Sequence, residues 1–443
     1  MTVFAPALGI LLVLGALGAL FGGLRVLRAR TTIHPEFLRK GLHVGMGLVC
    51  MTFPWLFHSA WPVAILAVLA GVALIAMRSL PRLRSSFGQV LHGVQRTSLG
   101  EFYFIAGVLG LFLMAGGQPL LYALCLVWLT FADATAAIVG LRYGTVTYAT
   151  RDGRKSLEGS LAFFAITYVT TFMGLVAMGH VDVLADALIG ATMALAVMLL
   201  EAVAWGGLDN LVIPIFGCAL FGMLVDEHVP ALAGRAAVLG GLFLLTHWQR
   251  RRTTLSEDAL LGGILCGYAF WVLGGWPWLL APLVLFLKDK RQSAAVGEGK
   301  HTIHAILATC AGGLACVLFN RIFPTIDWLL ISTLGFAVHF AIYEMTRTTR
   351  RAPALTPSAV VLKATGLAAL LIVGPFVAVR GAGPAVLVEA AGCVALILLL
   401  TELFRRLQPE IADCPLDGAR WIRQTGLATL GSAGGAVLLA ALR

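Results

Sequence analysis

The chain has 443 residues, of which 59% are hydrophobic and 12% charged, with a formal net charge of +10. So little charge excludes a soluble domain of this length. Apolar runs of roughly 17–25 residues recur from end to end, long enough to cross a hydrocarbon core as helices. A β-barrel would alternate in segments of about ten residues, which is not seen, and open sheets leave backbone groups unsatisfied in lipid. The sequence therefore predicts an all-α polytopic membrane protein with about 15–16 transmembrane helices in two bundles.

In chain order, spans are predicted near 4–24, 42–57, 61–77, 101–116, 119–140, 160–179, 184–204, 211–225, 232–248, 258–274, 276–288, 303–320, 326–346, 357–379, 384–404 and 424–441. The stretch 276–288 is short for a full crossing. The first span has arginines after it and none before it, the reverse of a secretory signal, and reads as a retained signal-anchor-like helix. With the N-terminus outside, inner loops collect Arg25, Arg28, Arg30, Arg39 and Lys40, then Arg78, Arg82, Arg84 and Arg96, then Arg142, Arg151, Arg154 and Lys155. Later inner loops hold Arg250, Arg251 and Arg252; Lys288, Lys290, Arg291 and Lys300; Arg347, Arg350 and Arg351; and Arg405, Arg406, Arg420 and Arg423. These are 27 of the 32 Lys and Arg, as the positive-inside rule requires. Topology thus accounts for the net charge. Basic residues split among short loops form no nucleic-acid surface.

The eight cysteines are scattered and form no CxxC pair, so they read as packing residues and suggest neither disulfides nor zinc. A polar break, Gln249 to Glu257, separates a front domain, 1–250, from a second transmembrane domain, 251–443. A further break runs from Lys288 to His301. The 50 glycines, spread through the spans, suit close helix packing in lipid.

The front domain carries four polar clusters, all at the inner face by the charge argument. Ionisable groups at membrane depth are costly and point to function. The first runs from His34 to His43. Arg39, Lys40 and His43 lie within about one turn, a paired cation of the kind a phosphate needs, although a positive-inside anchor looks the same. The second is Asp133, about two turns inside an apolar helix and flanked by small residues; a lone acid there wants a metal, a cation or a proton. The third is the loop from Leu141 to Ser160, with Asp152, Gly153, Arg154, Lys155, Ser156, Glu158, Gly159 and Ser160. Its backbone N–H groups at the start of the next span favour phosphate, or else Ser156 and Glu158 simply cap that helix. The Walker A spacing is absent. The fourth is Glu201 with Asp209 and Asn210, hard oxygen donors suited to Mg²⁺ or to capping a helix. Acids for a metal and cations for phosphates are what phosphoryl or nucleotidyl transfer asks of a protein.

These residues resemble the dolichol kinase, phytol kinase and CTP-dependent diacylglycerol kinase family. Arg39-Lys40…His43, Asp133 to Gly144, Lys155-Ser156-Leu157-Glu158-Gly159-Ser160, and Glu201 followed by Asp209-Asn210 stand in the family's order over roughly residues 30–225. Ala132 replaces the family's usual glycine before the aspartate. Gly207-Leu208-Asp209-Asn210-Leu211-Val212-Ile213-Pro214 is nearest to the phytol kinase branch. The family is also similar to phosphatidate cytidylyltransferases. The rear half resembles, more weakly, a membrane family that includes phytyl-phosphate kinase, through Gly262-Gly263, Gly274-Gly275-Trp276, Pro357 to Val360 and Gly418 to Ile422. The acids expected there are replaced, by Ala337-Val338-His339-Phe340 and by Ile422-Arg423-Gln424, so this half reads as degenerate or repurposed. His301, His304 and His339 read as separate loop and helix residues, since a ligand histidine needs a fixed supporting partner.

The resemblance implies an enzyme that moves the γ-phosphoryl group of CTP onto a lipid alcohol at the cytoplasmic face. Asp133, Asp209 and Asn210, with Glu158 in reserve, would hold Mg²⁺. Arg39, Lys40, His43, Arg142, Lys155, Ser156, Gly159 and Ser160 would bind phosphates. Asp133, Glu201 and His43 are candidate bases. Cytidylyl transfer onto a lipid phosphate is the alternative reaction. A transporter is the non-enzymatic one, against which stand the one-sided acids and the unlike halves.

Overall fold

A computed structural model of the chain describes residues 5–31, 33, 35–79, 99–288, 301–408 and 418–442. His34, Arg82, Arg84, Arg96, Lys290, Arg291, Lys300 and Cys414, with most of the 288–301 break, lie outside the described residues. The described chain divides into two compact units, Met1–Leu239 and Gly240–Arg443. The division falls within a helix, ten residues or so before the polar break expected at 249–257.

Unit 1 contains α1 (Pro6–Arg30), α2 (Pro35–Met51), the single turn α3 (Phe53–Leu56), α4 (Ala60–Ser79) and α5 (Gly100–Ala115). These are followed by α6 (Pro119–Tyr143), a hairpin of β1 (Thr147–Thr150) and β2 (Gly153–Ser156), α7 (Leu157–Ala177), α8 (Val183–Val203), α9 (Asp209–Leu224) and α10 (Val229–Gln249), whose last turns belong to unit 2. Proline opens α1, α2 and α6, where its missing N–H costs nothing. Asp182 caps α8 by accepting from the N–H groups of Leu184 and Ala185, each at 3.0 Å. The central helices are α6 and α8, with Tyr122, Trp128, Ile189 and Met193 fully buried between neighbours. Small residues let backbones close in: Gly107 of α5 lies against the Asn210 carbonyl of α9, and Gly217 of α9 against the Trp128 ring.

Unit 2 holds α11 (Glu257–Gly274), α12 (Trp276–Lys288), α13 (Ile303–Ile322), α14 (Trp328–Arg351), α15 (Pro357–Arg380), α16 (Pro384–Leu407) and α17 (Gly418–Leu442). Its axis is α14, buried without a break from Leu330 to Ile342. Such a helix is apolar nearly all round and has no solvent or lipid face of its own. Asp327 caps it through the Leu330 N–H at 3.2 Å and also pairs with Arg380 at the end of α15.

Every predicted span falls on a helix. Among the described residues eleven helices are long and apolar enough to cross a membrane, and Gly100–Ala115, Asp209–Leu224 and Trp276–Lys288 are shorter apolar helices. The chain is an all-α, multi-pass integral membrane protein. Two local differences matter for the site. The span expected at 42–57 starts at Pro35 and ends at Met51, with Pro54 placed in α3, so Arg39, Lys40 and His43 sit on helix. The loop expected at 141–160 contains a four-pair antiparallel hairpin.

Candidate functional site

The site is built at one end of unit 1, where α2, α5, α7 and α9 begin and α6 and α8 end. In α6 the helix widens into a π turn at Trp128–Ala132, directly before Asp133. Such turns interrupt the regular hydrogen-bond ladder and recur at functional sites. Here the Leu129 carbonyl takes a side-chain donor instead: His43 Nε2 lies 3.1 Å away. A carbonyl can only accept, so this nitrogen carries the proton. The same nitrogen is 3.6 Å from Asp133 Oδ2.

Asp133 is buried, and Lys40 Nζ donates to its Oδ2 at 2.6 Å. Both side chains are nearly closed off from solvent. An isolated charge at that depth would cost several kcal/mol, about what a close, hydrogen-bonded partner returns. A second pair lies alongside. Lys155, on β2, donates to Glu201 Oε1 at 2.6 Å and also to the Glu201 backbone carbonyl. Burial works against the Lys155 charge, but the Glu201 carboxylate outweighs it and holds the ammonium above the usual lysine range.

The two pairs share one field. The charges of Asp133 and Asp209 act on Arg39, that of Asp209 on His43 and Lys155, and those of Lys155, Asp133 and Asp209 on Glu201. Arg39 is half exposed and tied to Glu36 at 2.5 Å. The Asp209 carboxylate accepts no hydrogen bond among the described residues. Its neighbour Asn210 donates through Nδ2 to the Gly100 carbonyl at 3.0 Å, fastening α9 to α5. The turn before α9 is made by Gly206 and Gly207 at φ +61° and +85°, a left-handed conformation that glycine adopts without steric cost. It sets Asp209 back toward the end of α8, where Glu201 stands.

The remaining predicted residues have structural partners. Glu158 Oε1 accepts the Thr145 N–H at 2.9 Å and the Val146 N–H at 3.1 Å, as well as the Thr145 hydroxyl. It shapes the exit from α6. Ser156 caps α7 by accepting the Gly159 N–H at 3.1 Å, and the Leu157 N–H is bonded to the Val146 carbonyl at 2.8 Å. Two donors of that helix start are therefore used within the protein. Gly159 also lies so close to α6 that a Cβ there would come within 2.7 Å of the Ala136 carbonyl. Ser160 bonds Tyr148 Oη at 2.7 Å. Arg142 is exposed, its guanidinium 5.5 Å from the Tyr143 ring. No three His, Cys, Asp or Glu side chains among the described residues come together as metal ligands.

Sequence reasoning missed four participants: the π turn with its Leu129 carbonyl, Glu36, the hairpin, and the hairpin's clasp. In the clasp, Asp152 accepts the Gly206 N–H at 2.5 Å and Arg151 lies 4.8 Å over the Trp205 ring. The alternation of Tyr148 with Lys155 across the strands was the available signal for the hairpin.

Fold and site together define a multi-pass membrane protein whose buried acids and lysines meet at one end of a helical bundle. No family model matches the chain, and no solved structure matches it. Among curated proteins, the phytol kinase of Synechocystis sp. is 33% identical over 198 residues, which is 43% of this chain and 80% of that protein. The chain belongs to the phytol kinase family.

Proposed function

We propose that unit 1 is a CTP-dependent lipid-alcohol kinase working at the cytoplasmic face of the membrane, on an alcohol of the phytol or polyprenol kind or a diacylglycerol. The observation that carries this reading is the meeting of Lys40–Asp133, Lys155–Glu201, Arg39 and Asp209, drawn from separate elements, in one charged cluster at an end of unit 1. The name of the Synechocystis relative supports the substrate class.

Phosphoryl transfer needs positioned cations more than covalent chemistry. The alcohol oxygen bonds to the γ-phosphorus as the bond to the bridging oxygen breaks. CDP leaves, and the hydroxyl proton passes to a carboxylate or to water. Lys155 and Arg39 neutralise phosphate oxygens in this scheme, and Lys40 pairs with Asp133 and orients it. The donor set suits Mg²⁺ held by one or two carboxylates and completed by substrate phosphates: Asp209, which accepts no hydrogen bond among the described residues, with Asp133 and the Asn210 amide oxygen as the further donors. The ion would supply charge neutralisation for the transferred group. A closed protein cage is not required for that.

The test is purified protein with CTP and phytol, a polyprenol or diacylglycerol. CTP labelled in the γ-phosphate should label the lipid, and CTP labelled in the α-phosphate should not. Lipid labelled from the α-position means cytidylyl transfer. No lipid label from any alcohol, while a known relative works beside it, rejects the kinase reading.

A further inference from the structure

Unit 2 contains a cavity of its own, between the last turns of α10 and helices α11, α12, α13, α14 and α17. Its wall is largely aliphatic and aromatic, including Ile264, Leu279, Leu283, Ile306 and Phe336. Among the described residues no Asp or Glu lines it. Its buried polar side chains are Thr246, Arg420, His339, halfway along α14, and Gln424 in the second turn of α17. Gln424 Nε2 and His339 Nδ1 lie 3.2 Å apart. Among the described residues, Gln424 Oε1 is buried and accepts no hydrogen bond, and His339 is hydrogen-bonded through Nδ1 and not through Nε2.

An imidazole joined to an amide through one hydrogen bond has a fixed remainder. If one amide N–H donates to Nδ1, then Oε1 is left as an acceptor, with the second amide N–H and Nε2–H as donors. If the amide is turned over, Oε1 accepts from Nδ1–H, leaving two amide N–H donors and the Nε2 acceptor. Either way two donors and one acceptor remain in a largely apolar chamber. Leaving them unmatched is costly. A hydroxyl group, which donates once and accepts twice, is the smallest complement to all three.

We propose that this cavity is a second lipid site, taking a long-chain lipid alcohol with its hydroxyl between His339 and Gln424 and its chain along the apolar wall. The site is separate from the charged cluster of unit 1 and stands on unit 2's own residues. Arg420, one turn before Gln424 and 5.4 Å over the Trp421 ring, also reaches the wall. An anionic lipid is therefore the rival occupant, and the experiment includes it.

The full chain in detergent is incubated with a prenyl alcohol carrying a photoreactive group on its tail, with no nucleotide present. Phosphorylation in unit 1 then plays no part, and a negative result here leaves the kinase reading untouched. Crosslinked peptides are mapped by mass spectrometry. Crosslinks on α11, α13 or α14 are expected. The unlabelled alcohol should displace them at about a tenfold lower concentration than the alkane of equal chain length, the ratio expected of one or two buried hydrogen bonds. Gln424→Leu and His339→Leu should each erase that preference while apolar binding persists. The alcohol–alkane comparison on the unaltered protein needs no variant to fold. The proposal is overturned by crosslinks confined to unit 1, by an alkane that competes equally (the polar pair then holds only water), or by the monophosphate ester displacing the probe in preference to the alcohol.

Discussion

Asp133 and Lys40 are 93 positions apart in the chain and 2.6 Å apart in space. Removing either alone strands a buried charge, and Lys40→Met or Asp133→Asn should each cost about 3–5 kcal/mol. The double variant Lys40→Met/Asp133→Leu should recover most of that stability and remain inactive. Thermal unfolding in detergent, read beside lipid phosphorylation, separates the two effects; a stable and active double variant would refute a catalytic use of the pair. Asp209 predicts the opposite pattern. It accepts no hydrogen bond among the described residues, so Asp209→Asn should change stability by no more than about 0.5 kcal/mol. Its turnover should fall by about 100-fold, the scale of losing one electrostatic contact to the transferring group, and it should need more Mg²⁺ for half-maximal rate. A magnesium titration of the variant decides this. The motif also mixes unlike residues: Lys155 belongs to the charged cluster, whereas Ser156, Glu158 and Gly159, its immediate neighbours, hold α6, α7 and the turn between them together.

At the scale of elements, the joint between α6 and α7 places both lysine pairs. Gly140, Gly144 and Gly159 surround the Ser156 hydroxyl, and Gly159 touches the α6 backbone. Gly159→Ala puts a methyl group against a carbonyl that cannot swing away. Overpacking of this sort should cost about 1–3 kcal/mol and shift Lys155 relative to Glu201. The expected signature is a lower unfolding temperature together with a loss of activity larger than that of Ser156→Ala, which removes only a helix cap worth about 1 kcal/mol. Equal losses in the two variants would show that close approach of α6 and α7 is irrelevant to the site. The hairpin adds a second fastening, through Asp152 to Gly206 and Arg151 to Trp205. It thereby links Lys155 to the loop that leads into Asp209.

At the scale of the whole molecule, the positive-inside rule predicts that the hairpin end of unit 1, with its charged cluster, faces the inner side of the membrane. The seven cysteines among the described residues are all buried, which makes added cysteines readable. Ala149→Cys on the hairpin should react with a membrane-impermeant maleimide only after cells are opened. Val181→Cys, 91% exposed between α7 and α8, should react in intact cells. Reversal of the two would place the cluster outside and contradict the positive-inside argument. Unit 2 shares the helical character of unit 1, yet its buried centre is the apolar α14 with His339, and no comparable pairing of acids and lysines is found among its described residues.

Membrane insertion and the order of the apolar helices were legible from sequence alone. Each depends on summed transfer energies over long apolar runs, and these need no partner to be counted. The four clusters were legible as well, because isolated ionisable groups in apolar helices are conspicuous. Which lysine meets which acid was not. Lys40 with Asp133, and Lys155 with Glu201, are joined across 93 and 46 positions by helix packing. The π turn before Asp133 and the left-handed glycines before Asp209 aim those carboxylates through backbone detail that side-chain patterns do not encode. Tertiary structure alone also separated Glu158, whose Oε1 accepts from Thr145 and Val146, and Ser156, whose hydroxyl caps α7, from Asp209, whose carboxylate accepts no hydrogen bond among the described residues.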